Sequence, residues 1–146
     1  MILTCPNCAQ KNRVGAPNLT RPVRCGSCKS DIAPVVDPIE ADLETFDEIA
    51  NTSGVPVLVD FWAAWCGPCL RAAPEVKKTA AAVSGRALVL KVDTERHPEI
   101  AARYHVAGIP NFVVLRNGHV VAQHAGLVDH REMTRWITVA LETGAT

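Results

Sequence analysis

The sequence predicts an α/β protein with a central mixed β-sheet flanked by helices, preceded by a small cysteine-rich unit. Three observations carry this. Short β-branched apolar runs alternate with segments of helical periodicity from about residue 45 onward. An Asn117-Gly118 pair separates two strand-like runs near the end, so the last two strands are antiparallel. Four of the six cysteines fall within residues 1–38, in two Cys-x-x-Cys pairs.

Residues 1–38 show little helical periodicity and carry five of the ten prolines. They hold five basic and two acidic side chains, so this part is net positive and the remainder net negative. Ala33-Pro34-Val35-Val36-Asp37-Pro38 reads as a connector, because proline favours extended backbone and lacks a donor. The division expected is a metal-binding unit at 1–32, a linker at 33–39 and a larger domain at 40–146. No internal repeat or low-complexity tract is evident.

The larger part is read element by element. A strand is possible near Val36–Glu40. Thr45-Phe46-Asp47-Glu48 has the form of a capping box and should open a helix running to about Thr52. Val55 to Phe61 is long enough for one buried strand. From Cys66 to about Ser84, Leu70, Ala73, Val76, Ala80 and Val83 recur at helical intervals, and Pro74 should kink that helix. Ala87 to Val92 is a second buried strand, and Pro98 to Tyr104 a helix. Asn111 to Arg116 and His119 to Ala125 flank the Asn-Gly turn. Asp129-His130-Arg131-Glu132 resembles another capping box. It starts a last helix with Met133, Trp136, Ile137, Ala140 and Leu141 on one face.

Composition excludes some function classes. Fifteen basic and fifteen acidic residues cancel, which removes any bulk electrostatic reason to bind nucleic acid or an anionic membrane. No apolar run approaches the ~20 residues of a membrane span. The opening residues lack the basic and then apolar pattern of a signal peptide, so a cytoplasmic location is expected. There, paired cysteines point to metal or redox chemistry rather than to a disulfide framework.

Cys66 and Cys69 lie in Trp65-Cys66-Gly67-Pro68-Cys69, after a strand and at a helix start. Two cysteines at that spacing can close a small disulfide ring. The partial positive charge and free N–H groups of a helix N-terminus favour a thiolate. Cys66, at the very start, is the candidate nucleophile and should be the more exposed. Cys69, one turn inside, should be shielded and act as the resolving thiol. Gly67 gives access, and Pro68 lacks only an N–H that would be unpaired there. A buried structural pair or half a metal site are the alternatives; the strand–helix context and the flanking Trp65 favour redox chemistry.

Asp60-Phe61-Trp62-Ala63-Ala64-Trp65-Cys66-Gly67-Pro68-Cys69 resembles the active-site segment of the thioredoxin family. Val106-Ala107-Gly108-Ile109-Pro110, Asn117-Gly118 and Ala125-Gly126 fall where that family has its later motifs. The resemblance covers about residues 40–142. It implies the thioredoxin fold and a protein-disulfide reductase acting on disulfide-containing proteins. It further implies recharging by an NADPH-dependent thioredoxin reductase, with no tightly bound organic cofactor on the chain itself.

Residue roles follow from the same resemblance. Asp60 matches the buried carboxylate that deprotonates the resolving thiol, and an apolar site would raise its pKa toward neutrality. Lys91 matches a lysine near that carboxylate. Pro110 matches a cis-proline opposite the disulfide, which leaves the Ile109 backbone free to pair with an extended substrate. Trp65, Gly67, Pro68, Ile109 and Gly126 would rim a flat apolar docking surface. Trp62, Met133 and Trp136 are expected in the core, and the five histidines on ordinary surface or loops. Two departures stand out. Asn111 follows the proline where Thr is common, and Leu70-Arg71 follows the second cysteine where Lys is common.

Cys5, Cys8, Cys25 and Cys28 form two knuckles with sixteen residues between them, a pattern suited to one tetrahedral zinc. They resemble the zinc-binding extension of a two-domain bacterial type of the family. Two local disulfides, or one redox pair guarding another, are the alternatives. About thirty residues cannot bury enough surface to fold unaided, so the metal would supply the order. The unit is net basic but has no aromatic residue in 1–38 to stack on bases, so nucleic acid is not an expected partner. Two other readings compete: a thiol oxidant or isomerase, and a zinc-dependent binding protein that uses the second domain as a scaffold.

Overall fold

A computed structural model describes residues 1–142. The last four residues of the expected 40–146 domain therefore lie outside the described residues. Among the described residues, nine strands and four α-helices follow in chain order. They are β1 (Ile2–Thr4), β2 (Lys11–Arg13), β3 (Val23–Arg24), β4 (Asp31–Ile32), β5 (Ile39–Glu40), α1 (Leu43–Thr52), β6 (Val57–Trp62), α2 (Gly67–Ala82), β7 (Leu88–Asp93), α3 (Pro98–Arg103), β8 (Asn111–Arg116), β9 (His119–Ala125) and α4 (His130–Glu142). One 3-10 turn at Ala16–Asn18 lies between β2 and β3.

Five strands form the central sheet in the order β5-β7-β6-β8-β9. β5, β7 and β6 run parallel, and β8 and β9 complete it antiparallel. Side chains alternate across it. Val57, Val59 and Phe61 of β6 pack with Phe46 and Ile49 of α1 and Ile100 of α3. Leu58 faces the other way, with Val76 of α2 and Met133 and Ile137 of α4. Asp60 shares the parity of Leu58 and so lies on the α2 side. The Asn-Gly turn is as expected: φ is 53° at Asn117 and 79° at Gly118, the left-handed conformation that suits a two-residue hairpin. The β8–β9 register then skips Val121 at a bulge.

Several boundaries differ from the sequence reading. α1 begins at Leu43 with Asp42 as its cap, whose Oδ1 accepts from Thr45 N at 2.9 Å. Thr45 is the residue capped, not the cap, because Asp42 stands three residues earlier with extended backbone. At the last helix, Asp129 Oδ1 does accept from Glu132 N. α2 runs on through Pro74. The histidines are not all ordinary surface: His130 is half-buried, and its backbone N and ring Nδ1 lie 3.0 and 2.8 Å from Glu75 Oε1, tying α4 to α2. Met133 is buried as expected, whereas Trp62 and Trp136 are only partly so. Among the described residues no helix is long and apolar enough to cross a membrane.

The N-terminal unit is built from two alike β-ribbons, β1–β2 and β3–β4, although no repeat is visible in the sequence. Each places a Cys-x-x-Cys at its turn. Cys5 N donates to Gln10 O and Ala9 N to Cys5 O, both at 2.9 Å. Twenty residues on, Cys25 N donates to Ser30 O at 2.9 Å and Lys29 N to Cys25 O at 3.1 Å. Ala9 and Lys29 carry matching φ angles of 65° and 66°. The likeness is in backbone conformation; only the cysteines repeat as residues. Between the ribbons, Val14, Ala16 and Leu19 are buried in the same cluster as Phe46 and Ile49. The 33–39 stretch is stitched down as well: Val35 N donates to Leu19 O at 2.9 Å, and Ser84 Oγ to Val35 O at 3.1 Å.

Candidate active site and metal centre

β6 ends at Trp62 and α2 starts at Gly67, so the turn between them sets Cys66 at the helix N-cap. Its Sγ accepts from Cys69 N at 3.2 Å. A backbone N–H aimed at this sulfur, at the positive end of a helix, stabilises the thiolate once the pair is reduced. Cys66 and Cys69 form a disulfide with their Cα atoms 5.2 Å apart. The exposure difference expected between them is not seen: each is 3% exposed. What separates them is position, Cys66 at the cap and Cys69 inside the first turn. Ala63, Trp62 and Ile109 pack around them.

The Ile109–Pro110 peptide bond is cis. Cys66 Sγ lies 3.7 Å from the Ile109 carbonyl oxygen, and Gly126 N donates to Pro110 O at 2.8 Å. Pro110 is buried, Ile109 half-buried, and Gly67 and Pro68 exposed. Trp65 is 69% exposed, and its indole Nε1 donates to Glu95 Oε1 at 2.7 Å. Glu95 was not legible as a site residue, because it is distant in sequence and lies past the end of β7. The departure at Asn111 is a buried side chain whose Oδ1 accepts from Gln123 Nε2 of β9 at 3.1 Å.

Asp60 is 1% exposed, and its Oδ1 has no hydrogen-bond partner among the described residues. Burial pushes its carboxyl up to about 7, with Lys91 pulling it down and Glu40 pushing it further up. Lys91 faces Asp60 across the β6–β7 pairing. Its ammonium sits 3.9 Å from Glu40 Oε1 and 4.6 Å from the centroid of the Trp62 ring. Glu40 is a second residue that sequence reasoning missed. A two-residue strand gives no alternation from which to read where it points.

The other four cysteines converge. The sulfurs of Cys5, Cys8, Cys25 and Cys28 all lie within 4.8 Å of one another. Cys5 and Cys28 are 3.7 Å apart, and Cys8 and Cys25 3.6 Å. Zinc–sulfur bonds of about 2.3 Å in a regular tetrahedron require sulfurs about 3.8 Å apart, so the set fits such an ion. Donors already point at it. Asn7 Nδ2 reaches Cys28 Sγ at 3.4 Å, Asn12 Nδ2 reaches Cys25 Sγ at 3.5 Å, and Ser27 N reaches Cys25 Sγ at 3.4 Å. Such bonds favour thiolate, the form that binds metal.

The thioredoxin family profile matches residues 37–139. Thioredoxin C-3 of Corynebacterium nephridii is 34% identical over 142 residues, 97% of each chain, so that likeness extends through the N-terminal unit. Thioredoxin 1 of Chlorobaculum tepidum is 39% identical over 98 residues, 67% of this chain and 97% of its own. A mutant thioredoxin from Halobacterium salinarum superposes with a TM-score of 0.65 at 30% identity, over 70% of this chain and 89% of that one. With the Cys66–Cys69 pair in place at the head of α2, these likenesses mean that the chain belongs to the thioredoxin family and is a protein-disulfide reductase of the dithiol-exchange type.

Proposed function

We propose that the chain is a cytoplasmic reductase of protein disulfides, recharged by an NADPH-dependent thioredoxin reductase. Reduced Cys66 attacks a substrate disulfide, forming a mixed disulfide and releasing the first substrate thiolate. Cys69 passes its proton to Asp60 and attacks Cys66 Sγ, which releases the second substrate sulfur as a thiolate and leaves the Cys66–Cys69 disulfide. Lys91 tunes Asp60. Trp65, Gly67, Pro68, Ile109 and Gly126 form the docking rim, and the buried cis-Pro110 sets the Ile109 main chain to pair with the substrate. The observation that carries the reading is Cys66 Sγ at the α2 N-cap accepting from Cys69 N.

Residues 1–32 are proposed as a unit holding one structural zinc on Cys5, Cys8, Cys25 and Cys28, with 33–39 as connector and 40–146 as the reductase domain. The metal would fix the two knuckles to each other.

Trapping tests the assignment of roles. Cys66→Ser should abolish insulin-disulfide reduction. Cys69→Ser keeps the attack and loses the resolution, so it should gather substrate proteins as mixed disulfides that dithiothreitol releases. A Cys69→Ser chain that gathers none would overturn the roles given to the two cysteines.

A further inference from the structure

Three strands place three ionisable side chains in one row. β5 pairs with β7 so that Glu40 stands opposite Lys91, and β6 pairs with β7 so that Asp60 stands opposite Lys91. All three strands are parallel, so paired residues project from the same face. Lys91 thus lies between two carboxylates with one ammonium to share. Its contacts are with the outer one: Nζ is 3.9 Å from Glu40 Oε1 and over the Trp62 ring, while Asp60 Oδ1 is left without a partner among the described residues. The burial gradient runs the same way. The Lys91 side chain is 20% exposed and that of Glu40 59%.

We propose that Glu40 is a positioning residue for the reductase: it draws Lys91 toward the rim of the sheet and so leaves Asp60 without an ion-pair partner. A buried carboxylate with an ammonium close by would stay ionised and be a weak proton acceptor. Held away from that ammonium, Asp60 takes up a proton near neutral pH, where Cys69 must lose one. Trp62 supports the arrangement by offering its ring as the second seat for the lysine.

The remaining groups around the row are few. Glu40 lines a cleft of about 570 Å3 with Asp42, Trp62, Asp93, Arg96 and His97. Asp93 and Arg96 act on Glu40 with opposite signs. On the inner side, Asp60 is flanked by apolar Phe112 of β8 and by α2, which carries the cysteine pair.

The proposal rests on Asp60 being the proton acceptor, so the experiment separates the two. The Asp60 carboxyl carbon is followed by NMR pH titration of the full-length chain, with and without Glu40→Gln, a near-isosteric change at an exposed site. Removing the outer charge and releasing Lys91 both favour ionised Asp60. Its midpoint should fall by about half a pH unit or more, and the pH profile of the resolving step should move down with it. In a Lys91→Met background the same Gln substitution should shift the midpoint less, since the relayed part is gone. A midpoint unmoved by Glu40→Gln, or moved equally with and without Lys91, overturns the positioning role. Failure of the underlying reading looks different: Asp60→Asn would then leave the pH profile of the resolving step unchanged.

Discussion

Asp60 illustrates what a single buried charge does to both stability and chemistry. Its folded pKa of about 7 lies above the value near 3.9 of an unfolded aspartate. The folded state therefore binds the proton more tightly, and the resulting stability is full below about pH 4 and lost as pH rises through 7. The loss is of order 3–4 kcal/mol for a shift of this size. Asp60→Asn removes the ionisation at similar shape. The variant should be more stable than the parent at pH 8 by about 2–4 kcal/mol and nearly equal to it at pH 4. Urea unfolding at the two pH values measures this; parallel stability curves across pH 5–8 would mean that Asp60 titrates in the ordinary range. At this scale the sequence was informative wherever a residue's place follows from its neighbours in the chain, as for Cys66, Cys69 and the two knuckles. It was blind where the partner arrives from another strand or loop. Glu40 reaches Lys91, and Glu95 reaches Trp65, only after the sheet has brought separate segments together.

Among the elements, β6 to β9 were legible to within two residues, because continuous β-branched apolar runs and the Asn-Gly turn are local signals, whereas the two- and three-residue strands β1 to β4 are too short to show a pattern. The start of α1 was not legible. Both Asp42 and Thr45 are residue types that cap helices, and Thr45-Phe46-Asp47-Glu48 also satisfies the capping-box pattern. What decides is backbone conformation, extended at Asp42 with ψ near 180°, and sequence alone does not display it. The hydrogen bond to Thr45 N also holds the Asp42 carboxyl below the usual range. Asp42→Ala should cost about 1 kcal/mol in unfolding free energy. Thr45→Ala should cost less, about 0.5 kcal/mol, because the half-buried Thr45 side chain is not the cap of the helix. Equal losses in the two variants would return the cap to Thr45. The two ribbons of the N-terminal unit are not legible in the sequence for a related reason. Pro6-Asn7 and Gly26-Ser27 share no chemistry, yet both are followed within two residues by the same left-handed turn residue, which lets backbone N–H groups face sulfur.

For the whole molecule, the segment between the ribbons alters what loss of the metal is expected to do. From sequence, 1–32 unfolds without zinc while the domain from residue 40 stands on its own interior. In the structure Leu19 is completely buried, and Val14, Ala16 and Leu19 pack with Phe46 and Ile49 of α1. Part of the interior of the larger domain is therefore supplied by the smaller unit. That packing lies on the α1 side of the sheet, whereas α2, which carries Cys66 and Cys69, packs on the opposite side. Stability and disulfide exchange should then respond differently. Leu19→Ala, with the metal bound, should lower the unfolding free energy by about 2–5 kcal/mol, as a buried Leu truncation does. It should also speed hydrogen exchange at the α1 amides of Phe46, Ile49 and Ala50. Chelation should loosen the two knuckles and raise α1 exchange in the same direction, while insulin reduction by the dithiol form changes by less than about twofold, well under 1 kcal/mol in barrier. Two results would count against this arrangement. Unchanged α1 exchange in both cases would make the N-terminal unit a passenger. Reductase activity that falls in step with metal release, with Cys66 still reduced, would mean that the metal centre supports the active site through the sheet itself.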